Sequence, residues 1–271
     1  MRSSLAGIIL AIAYGCATLT ISAFMLDHNA FDPGRAGSDA GSVLGDDDLQ
    51  QYLVNFLVDT TSGAVTTTPQ EIEQLRATLY LVTDHPDGQA FLAPLIRDAH
   101  GHLIGEIDGP VTVTGEELVP IVRSQGAASI DSITVPVQRN TLLAILNDVL
   151  AWVVPIGAIA SLALLLVGFV FHRDKASLVR LLAMGLALTG LLLFIVGYIV
   201  PRWLLPLADD SVWAHVSARL ADHSIPLLVF LEVLLFGAAG ALVGGSGMLR
   251  RRRRWNQPIS TYRYVDDRRW N

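Results

Sequence analysis

The chain has a single cysteine, Cys16, and charged residues make up only 16% of its 271 residues. One cysteine cannot form an intrachain disulfide, so a disulfide-stabilised secreted scaffold is excluded. The sequence also lacks a Gly-x-Ser-x-Gly nucleophile motif, a phosphate-binding loop and the Cys/His spacing of a zinc site. We therefore predict no catalytic residue and no cofactor. Cys16, which lies inside an apolar run, is interpreted as a buried membrane thiol.

Long apolar runs, in contrast, are abundant, and 52% of the residues are hydrophobic. Crossing about 30 Å of hydrocarbon takes about 20 apolar residues in a helix. Runs of this length cover residues 5–26, 149–171, 178–200 and 225–249. Each must be helical in lipid, because a helix satisfies its own backbone groups. The predicted fold class is a membrane, mainly α protein: a four-transmembrane-helix bundle with a small α+β or mostly helical extracytoplasmic domain between helices 1 and 2.

Basic residues flank these runs on alternate sides. Arg2 precedes the first run, Arg173 and Lys175 lie between the second and third, and five arginines follow the fourth. Because Lys and Arg stay on the cytoplasmic side, the pattern predicts a multi-pass plasma membrane protein with both termini in the cytoplasm. The first run could instead be a cleaved signal peptide, although its apolar core is long and its basic region is one arginine.

The five arginines also predict a segment that binds membrane lipids. Four to eight basic residues beside a membrane helix attract the anionic lipids of the inner leaflet. Orientation and anchoring explain the cluster, and a partner-binding peptide over residues 259–270 is the alternative. The arginines are Arg250, Arg251, Arg252, Arg253 and Arg254.

The segments between the runs differ strongly in charge. Residues 27–145 carry 17 Asp and Glu against 5 Arg, a net charge of −12, whereas residues 249–271 carry +6. An acidic exterior argues against nucleic-acid binding. The expected division is into transmembrane helices (1–26, 149–171, 178–200, 225–249), an extracytoplasmic domain (27–148), an extracytoplasmic loop with an amphipathic helix (201–224) and a basic cytoplasmic tail (250–271).

Local patterns predict the elements of the extracytoplasmic segments. The Gly-, Asp- and Ser-rich stretch 27–45 is typical of a flexible linker. The carboxylates at 46–48 are interpreted as the start of a helix, where they complement its dipole, rather than as a calcium site. Further expected elements are helices from Thr68-Pro69 and over 89–99 and 116–124, a strand over 130–137, and a helix whose face carries Val212, Val216 and Leu220.

Small residues recur every three or four positions in two of the membrane runs. Such spacing lets helix backbones approach closely. Contact within the four-helix bundle is the first interpretation, and a face for a partner protein is the second. The residues are Gly7, Ala11 and Gly15 in the first run, and Gly237, Gly240 and Gly244 in the fourth.

Three histidines are candidate metal ligands. In an extended strand, His100 and His102 would point to the same side, as imidazoles do in several metal sites. His85 lies in the sequence His-Pro-Asp-Gly, which also reads as a plain turn. The alternative is therefore that none of the three binds a metal.

Glu232 is the one ionisable residue well inside an apolar run. A carboxylate at that depth is costly and normally has a partner or a water path. The functional interpretation is a proton or ion relay. The alternative is a structural ion pair with a cation that reaches the membrane from outside: Arg139, Arg202, Arg219 or His223.

The layout of the chain is similar to that of a known group of proteins. The helix DLQQYLVNFLVD at 48–59, soon after the first membrane run, and residues 111–122, before the second, carry the local similarity. The chain resembles uncharacterised actinobacterial integral membrane proteins, to which we relate the LucB-type accessory proteins of mycobacterial Mce lipid importers. The resemblance implies an accessory subunit of an envelope assembly, and it carries no functional residue.

Three functional hypotheses follow. The first is a non-enzymatic accessory or scaffold subunit of a cell-envelope or transport complex, with other membrane proteins as partners. The second is a transporter or channel component that uses Glu232. The third is a metal-dependent enzyme of the outer surface that uses His100 and His102.

Overall fold

The chain folds almost entirely into helices, because apolar runs and capped amphipathic segments follow one another along the sequence. The computed structural model describes residues 2–65, 68–171 and 175–255, with side chains over 7–65, 68–171 and 178–245. Its α-helices are α1 (Arg2–Ala30), α2 (Pro33–Ser38), α3 (Ala40–Leu44), α4 (Asp47–Val65), α5 (Pro69–Asp84), α6 (Pro86–Leu103), α7 (Gly115–Val122), α8 (Thr141–Phe171), α9 (Lys175–Phe194), α10 (His215–His223) and α11 (Ile225–Trp255).

Four helices are long and apolar enough to cross a membrane. They cover Gly7–Ala30, Thr141–Phe171, Leu178–Ala208 and Ile225–Gly245, with mean hydropathy between 2.0 and 2.6. The prediction of a mainly α, multi-pass membrane protein with four spans is thereby confirmed. The third span is longer than its apolar run, because α9 continues as a π-helix over Ile195–Leu204.

The four spans lie side by side in a row and do not close into the bundle that the sequence suggested. Helix α1 packs against both α8 and α9, and α9 packs against α11. In the described part of the chain, α8 makes no extensive contact with α9 or α11. The order across the row is therefore α8, α1, α9, α11, which leaves α8 and α11 at the two edges.

Glycines of α8 set its distance from α1. A Cβ added at Gly168 would clash with the side chain of Leu10, and one at Gly157 would clash with Thr20. Along α8 the contact moves from Thr20 at Gly157 to Leu10 at Gly168, so residue numbers rise in α8 as they fall in α1. The two helices are therefore antiparallel. Their backbones approach closely because glycine leaves room for a neighbouring side chain.

The same reasoning gives the direction of α9. A Cβ at Gly185 would lie 2.7 Å from the ring of Tyr14, and one at Gly197 would lie 3.3 Å from Met25. Residue numbers rise together along the two helices, so α1 and α9 are parallel. The directions thus alternate along the chain, as four successive spans require.

Residues 31–140, which we call the head, form a helical unit at one end of the row of spans. The opening of α5 is as expected: Thr68 and Glu71 form a capping box around Pro69. The stretch 27–45 is not the flexible linker that its composition suggested. It continues α1 and then forms α2 and α3, whose Ala36 and Val43 are fully buried.

Strand structure in the described residues is limited to one short antiparallel pair. Strand β1 (Thr112–Val113) pairs with β2 (Ile133–Thr134), with Thr112 opposite Thr134. The strand expected over 130–137 is therefore mostly irregular. Pro136, which has no N–H for a ladder, follows soon after β2.

One hydrophobic core joins the head to the spans. Helix α4 supplies several of its fully buried side chains, and the junction loop (residues 205–224) supplies others. Because the loop and the head share this core, they are not separate units. Core residues include Leu26 and Phe31 near the end of α1, Leu49, Leu53 and Leu57 of α4, Ile96 of α6, and Trp213, Val216 and Leu220 of the loop.

Candidate functional site

The densest polar structure in the described residues lies where the spans meet the head. Its centre is Asn29, which is completely buried in the last turn of α1. The side-chain oxygen of Asn29 accepts hydrogen bonds from Arg35 (2.8 Å) and from the hydroxyl of Ser224 (2.8 Å). Arg35 also donates to Ser224 at 2.6 Å and forms an ion pair with Asp39 at 3.3 Å. We call Asn29, Arg35, Asp39 and Ser224 the junction cluster.

The junction cluster also holds the irregular part of α9. Pro201 lies four residues after Gly197 and has no N–H to donate to the Gly197 carbonyl. The helix winds here as a ten-residue π-helix, a form that is rare and often marks functional sites. Asn29 Nδ2 donates to the Gly197 carbonyl at 2.7 Å. The cluster thus fixes α1, α2, α9 and the start of α11 to one another.

A second group of charges joins the head to the junction loop. Asp46 stands just before α4 and accepts a hydrogen bond from the Leu49 N–H at 3.2 Å, as a helix cap does. Its other oxygen lies 3.1 Å from Arg219, and His215 Nδ1 lies 3.5 Å from its first oxygen. Burial alone would raise the pKa of Asp46, but the Leu49 hydrogen bond, Arg219 and His215 together hold it below its usual value.

An open cleft lies beside this group, between α4 and the junction loop. It has a volume of about 320 Å³, and most of the residues that line it have polar side chains. Asp48, in the first turn of α4, and His215, at the start of α10, both line it. The ligand atoms of Asp46, Asp48 and His215 lie within 4.8 Å of one another, so these three residues could hold a metal ion.

The histidines singled out from the sequence do not converge. His100 and His102 lie on α6 rather than on an extended strand, and residues two apart on a helix point in different directions. His102 Nδ1 contacts the carbonyl of Ile107 at 3.2 Å, and His85 caps the start of α6 through Asp87 N–H. The extended-strand argument for a metal site at His100 and His102 was therefore wrong.

His100 is instead a core residue. It is 1% exposed, and its Nε2 lies 3.1 Å from the Ala30 carbonyl, so Nε2 carries the proton. Burial lowers the pKa of His100 to about 4, against smaller opposing effects of the Ala30 hydrogen bond and the Asp32 charge. The enclosed cavity beside it has a volume of about 10 Å³, enough for one water molecule at most.

Glu232 lies where α11 crosses α9. Its Oε2 would be 3.4 Å from a Cβ added at Gly190, and its buried Oε1 has no hydrogen-bond partner among the described residues. The structural ion pair considered as the alternative does not form with any of the four proposed cations. Each pairs with another carboxylate: Arg139 with Asp108, Arg202 with Asp222, Arg219 with Asp46 and His223 with Asp39.

The small-residue faces predicted from spacing do not lie between the four spans. A Cβ added at Gly7 or Gly15 of α1 would meet no atom of the described side chains and backbone within 4 Å, and Ala11 is exposed. The same is true of Gly237, Gly240 and Gly244, all three of which are exposed. Contact within the four spans, the first interpretation, is therefore wrong for these glycines.

The basic cluster lies at the far end of α11. The backbone of α11 continues as a helix through Arg250, Arg251, Arg252, Arg253 and Arg254 to Trp255, and their side chains lie outside the described residues. The remaining tail, residues 256–271, and the basic turn at 172–174 also lie outside them.

Sequence reasoning missed the junction cluster. Arg35 stands in a stretch whose composition is that of a linker, and Asn29 is only one polar residue at the end of an apolar run. Pro201 was the available signal: a proline beyond the middle of a long apolar helix leaves a carbonyl without its usual donor. A buried amide from another helix is one way to supply that donor.

Comparisons with protein-family models, with curated proteins and with solved structures found no match. The structure itself therefore defines the class: a multi-pass helical membrane protein with four candidate spans and a helical head. The resemblance to actinobacterial membrane proteins and to LucB-type accessory proteins stays a prediction.

Proposed function

We propose that this protein is a non-enzymatic accessory or scaffold subunit of a cell-envelope or transport complex in the plasma membrane. The observation that carries the proposal is the open row of spans. Helix α11 packs mainly against α9, and its glycine face at Gly237, Gly240 and Gly244 meets no side chain of the described chain. A transmembrane helix of another protein fits that face, because small residues allow close backbone contact.

The junction cluster supports a scaffold role. Asn29, Arg35 and Ser224 connect two spans to the head through short hydrogen bonds, and the shared core adds apolar contact. A force applied to the head is therefore transmitted to the spans without a flexible linker between them. Such rigidity suits a subunit that holds a partner in one position.

The proposed orientation places the acidic head outside the cell and both termini in the cytoplasm. The support is the alternation of basic flanks, above all the five arginines after the fourth run. In that orientation the arginines face anionic lipids of the inner leaflet. Fusion of an enzymatic reporter to residue 271 tests it: activity that requires export would overturn the proposed topology.

Purification of the tagged protein from its native host in mild detergent, followed by mass spectrometry, tests the accessory role. We expect a stoichiometric set of membrane-protein subunits. Gly240→Leu should reduce their recovery at least several-fold without lowering the amount of the protein, since a Cβ at Gly240 meets no described residue of the chain within 4 Å. Leu234→Phe is the matched control, since Leu234 is exposed and lies about 120° around the helix from Gly240.

Two results would contradict the proposal. One is a protein that purifies without partners from its native host. The other is a set of partners that Gly240→Leu and Leu234→Phe retain equally, because the glycine face would then not be the contact.

A second candidate function is supported by Glu232. An unpartnered buried carboxylate oxygen beside α9 is the arrangement expected of a residue that takes up and releases a proton or cation. In this case the protein is a transporter or channel component. Reconstituted vesicles with an imposed membrane potential should show proton entry, and Glu232→Gln should abolish it. Equal entry with both proteins would eliminate this candidate.

A further inference from the structure

The charged group around Asp46 has a metal-binding geometry that the proposed function does not use. Asp46 and Asp48 come from the start of α4, in the head, whereas His215 comes from the start of α10, in the junction loop. Two carboxylates and one imidazole thus meet from segments more than 160 residues apart, with ligand atoms within 4.8 Å. From this geometry we infer that Asp46, Asp48 and His215 bind a divalent transition-metal ion of the zinc class.

The ligand types favour zinc over calcium. Zn²⁺ binds imidazole nitrogen and carboxylate oxygen at about 2.0–2.2 Å, usually with four ligands. Calcium takes six or more oxygen ligands and does not select imidazole. Three protein ligands leave one position for water, which reaches the site through the open cleft that Asp48 and His215 line.

The site can close around an ion by side-chain rotation. Tetrahedral ligands of zinc are about 3.3 Å apart, and His215 Nδ1 and the nearer oxygen of Asp46 are already 3.5 Å apart. Asp48 is exposed, so its side chain is free to rotate toward them. Asp46 is held in place by Leu49 N–H and Arg219, so it is the fixed ligand of the three.

The other polar residues that line the cleft are Gln51, Tyr52, Asn55, Asp210 and Ser211.

Arg219 limits the affinity of the site. Its guanidinium lies 3.1 Å from one oxygen of Asp46 and offsets one of the two carboxylate charges. The two carboxylates and the guanidinium then carry a net charge of −1 instead of −2, and we expect a dissociation constant in the micromolar range rather than the nanomolar range. Bound metal would connect α4 to α10, so it should also stabilise the contact between the head and the junction loop.

Calorimetric titration of the full-length protein, carrying a tag without histidine, tests the site with ZnCl₂ and with CaCl₂. We expect one Zn²⁺ per chain, at least tenfold weaker binding in both His215→Ala and Asp48→Asn, and no comparable binding of Ca²⁺. A 100-fold excess of Zn²⁺ over its dissociation constant should raise the melting temperature of the wild type by about 5 °C, and that of His215→Ala and Asp48→Asn by clearly less.

His85→Ala is the matched control, since His85 is also exposed and lies 3.7 Å from Asp87 in the head. It should bind Zn²⁺ as the wild type does. Equal affinity in the wild type, His215→Ala and Asp48→Asn would overturn the assignment. Binding of Ca²⁺ as tightly as Zn²⁺ would also overturn it, because an acidic surface alone would then explain the result.

Discussion

Replacement of Asn29 by alanine tests whether the junction cluster holds the head and spans together. The change removes three hydrogen bonds at once: one to the Gly197 carbonyl, one from Arg35 and one from Ser224. All three partners belong to segments other than α1. We therefore expect a loss of stability much larger than that of an ordinary polar substitution.

The size of the loss follows from the partners that remain. Two neutral hydrogen bonds contribute about 0.5–1.5 kcal/mol each, and one to a charged group about 1.5–3 kcal/mol. Arg35 keeps contacts with Asp39 and Ser224, and Ser224 keeps the Leu220 carbonyl. The lower part of the combined range therefore applies, and we expect the free energy of unfolding to fall by about 3 kcal/mol.

Thermal unfolding in lipid nanodiscs, followed by tryptophan fluorescence, measures this effect. A loss of that size should lower the melting temperature by roughly 6–12 °C. Thr18→Val is the matched control, because Thr18 is equally buried on α1 and makes one neutral hydrogen bond to Thr189 of α9 at 2.8 Å. It should cost about 1 kcal/mol. If Asn29→Ala costs no more than Thr18→Val, the cluster does not hold the junction.

Two further predictions concern the core and the helix contacts. Because the folded-state pKa of His100 is about 4 and its ordinary value is 6.5, the unfolded chain binds the extra proton between these values. His100 should therefore lower the free energy of unfolding by up to about 3 kcal/mol as the pH falls through this window. In His100→Leu the free energy of unfolding should fall by correspondingly less between pH 7 and pH 4.5. The same fall in both proteins would contradict the prediction. Gly157→Val, which would clash with Thr20, should lower stability by about 1–3 kcal/mol, whereas Gly240→Val should leave the melting temperature of the isolated protein nearly unchanged.

The spans and many helix starts could be predicted from the sequence because their causes are local. Hydropathy alone identifies a membrane helix, and Thr68 with Glu71 is a capping pair within four residues of chain. The helix start predicted from the carboxylates at 46–48 also has a local cause, and Asp46 does cap α4.

The predictions that failed depend on distant partners. Composition cannot show that Arg35 is held by Asn29 and Ser224, so the segment around it was interpreted as a linker. Likewise, α6 continues through His100 and His102 because Ala99 and Leu103 are buried against other helices. Tertiary packing overrides a local pattern in both cases, and the candidate site made by Asp46 and His215 has the same non-local origin.

The distribution of glycines links the fold to the proposed function. Gly157 and Gly168 lie against α1, so the absence of a side chain there is offset by close packing. Gly237, Gly240 and Gly244 have no such neighbour in the part of the chain that the structure describes. Each glycine in a helix costs roughly 0.5–1 kcal/mol relative to alanine, so this face weakens the isolated protein by about 2 kcal/mol without any contact in return. A partner helix packed on the face would offset that cost, which is why Gly240 is the position at which the accessory role is most directly tested.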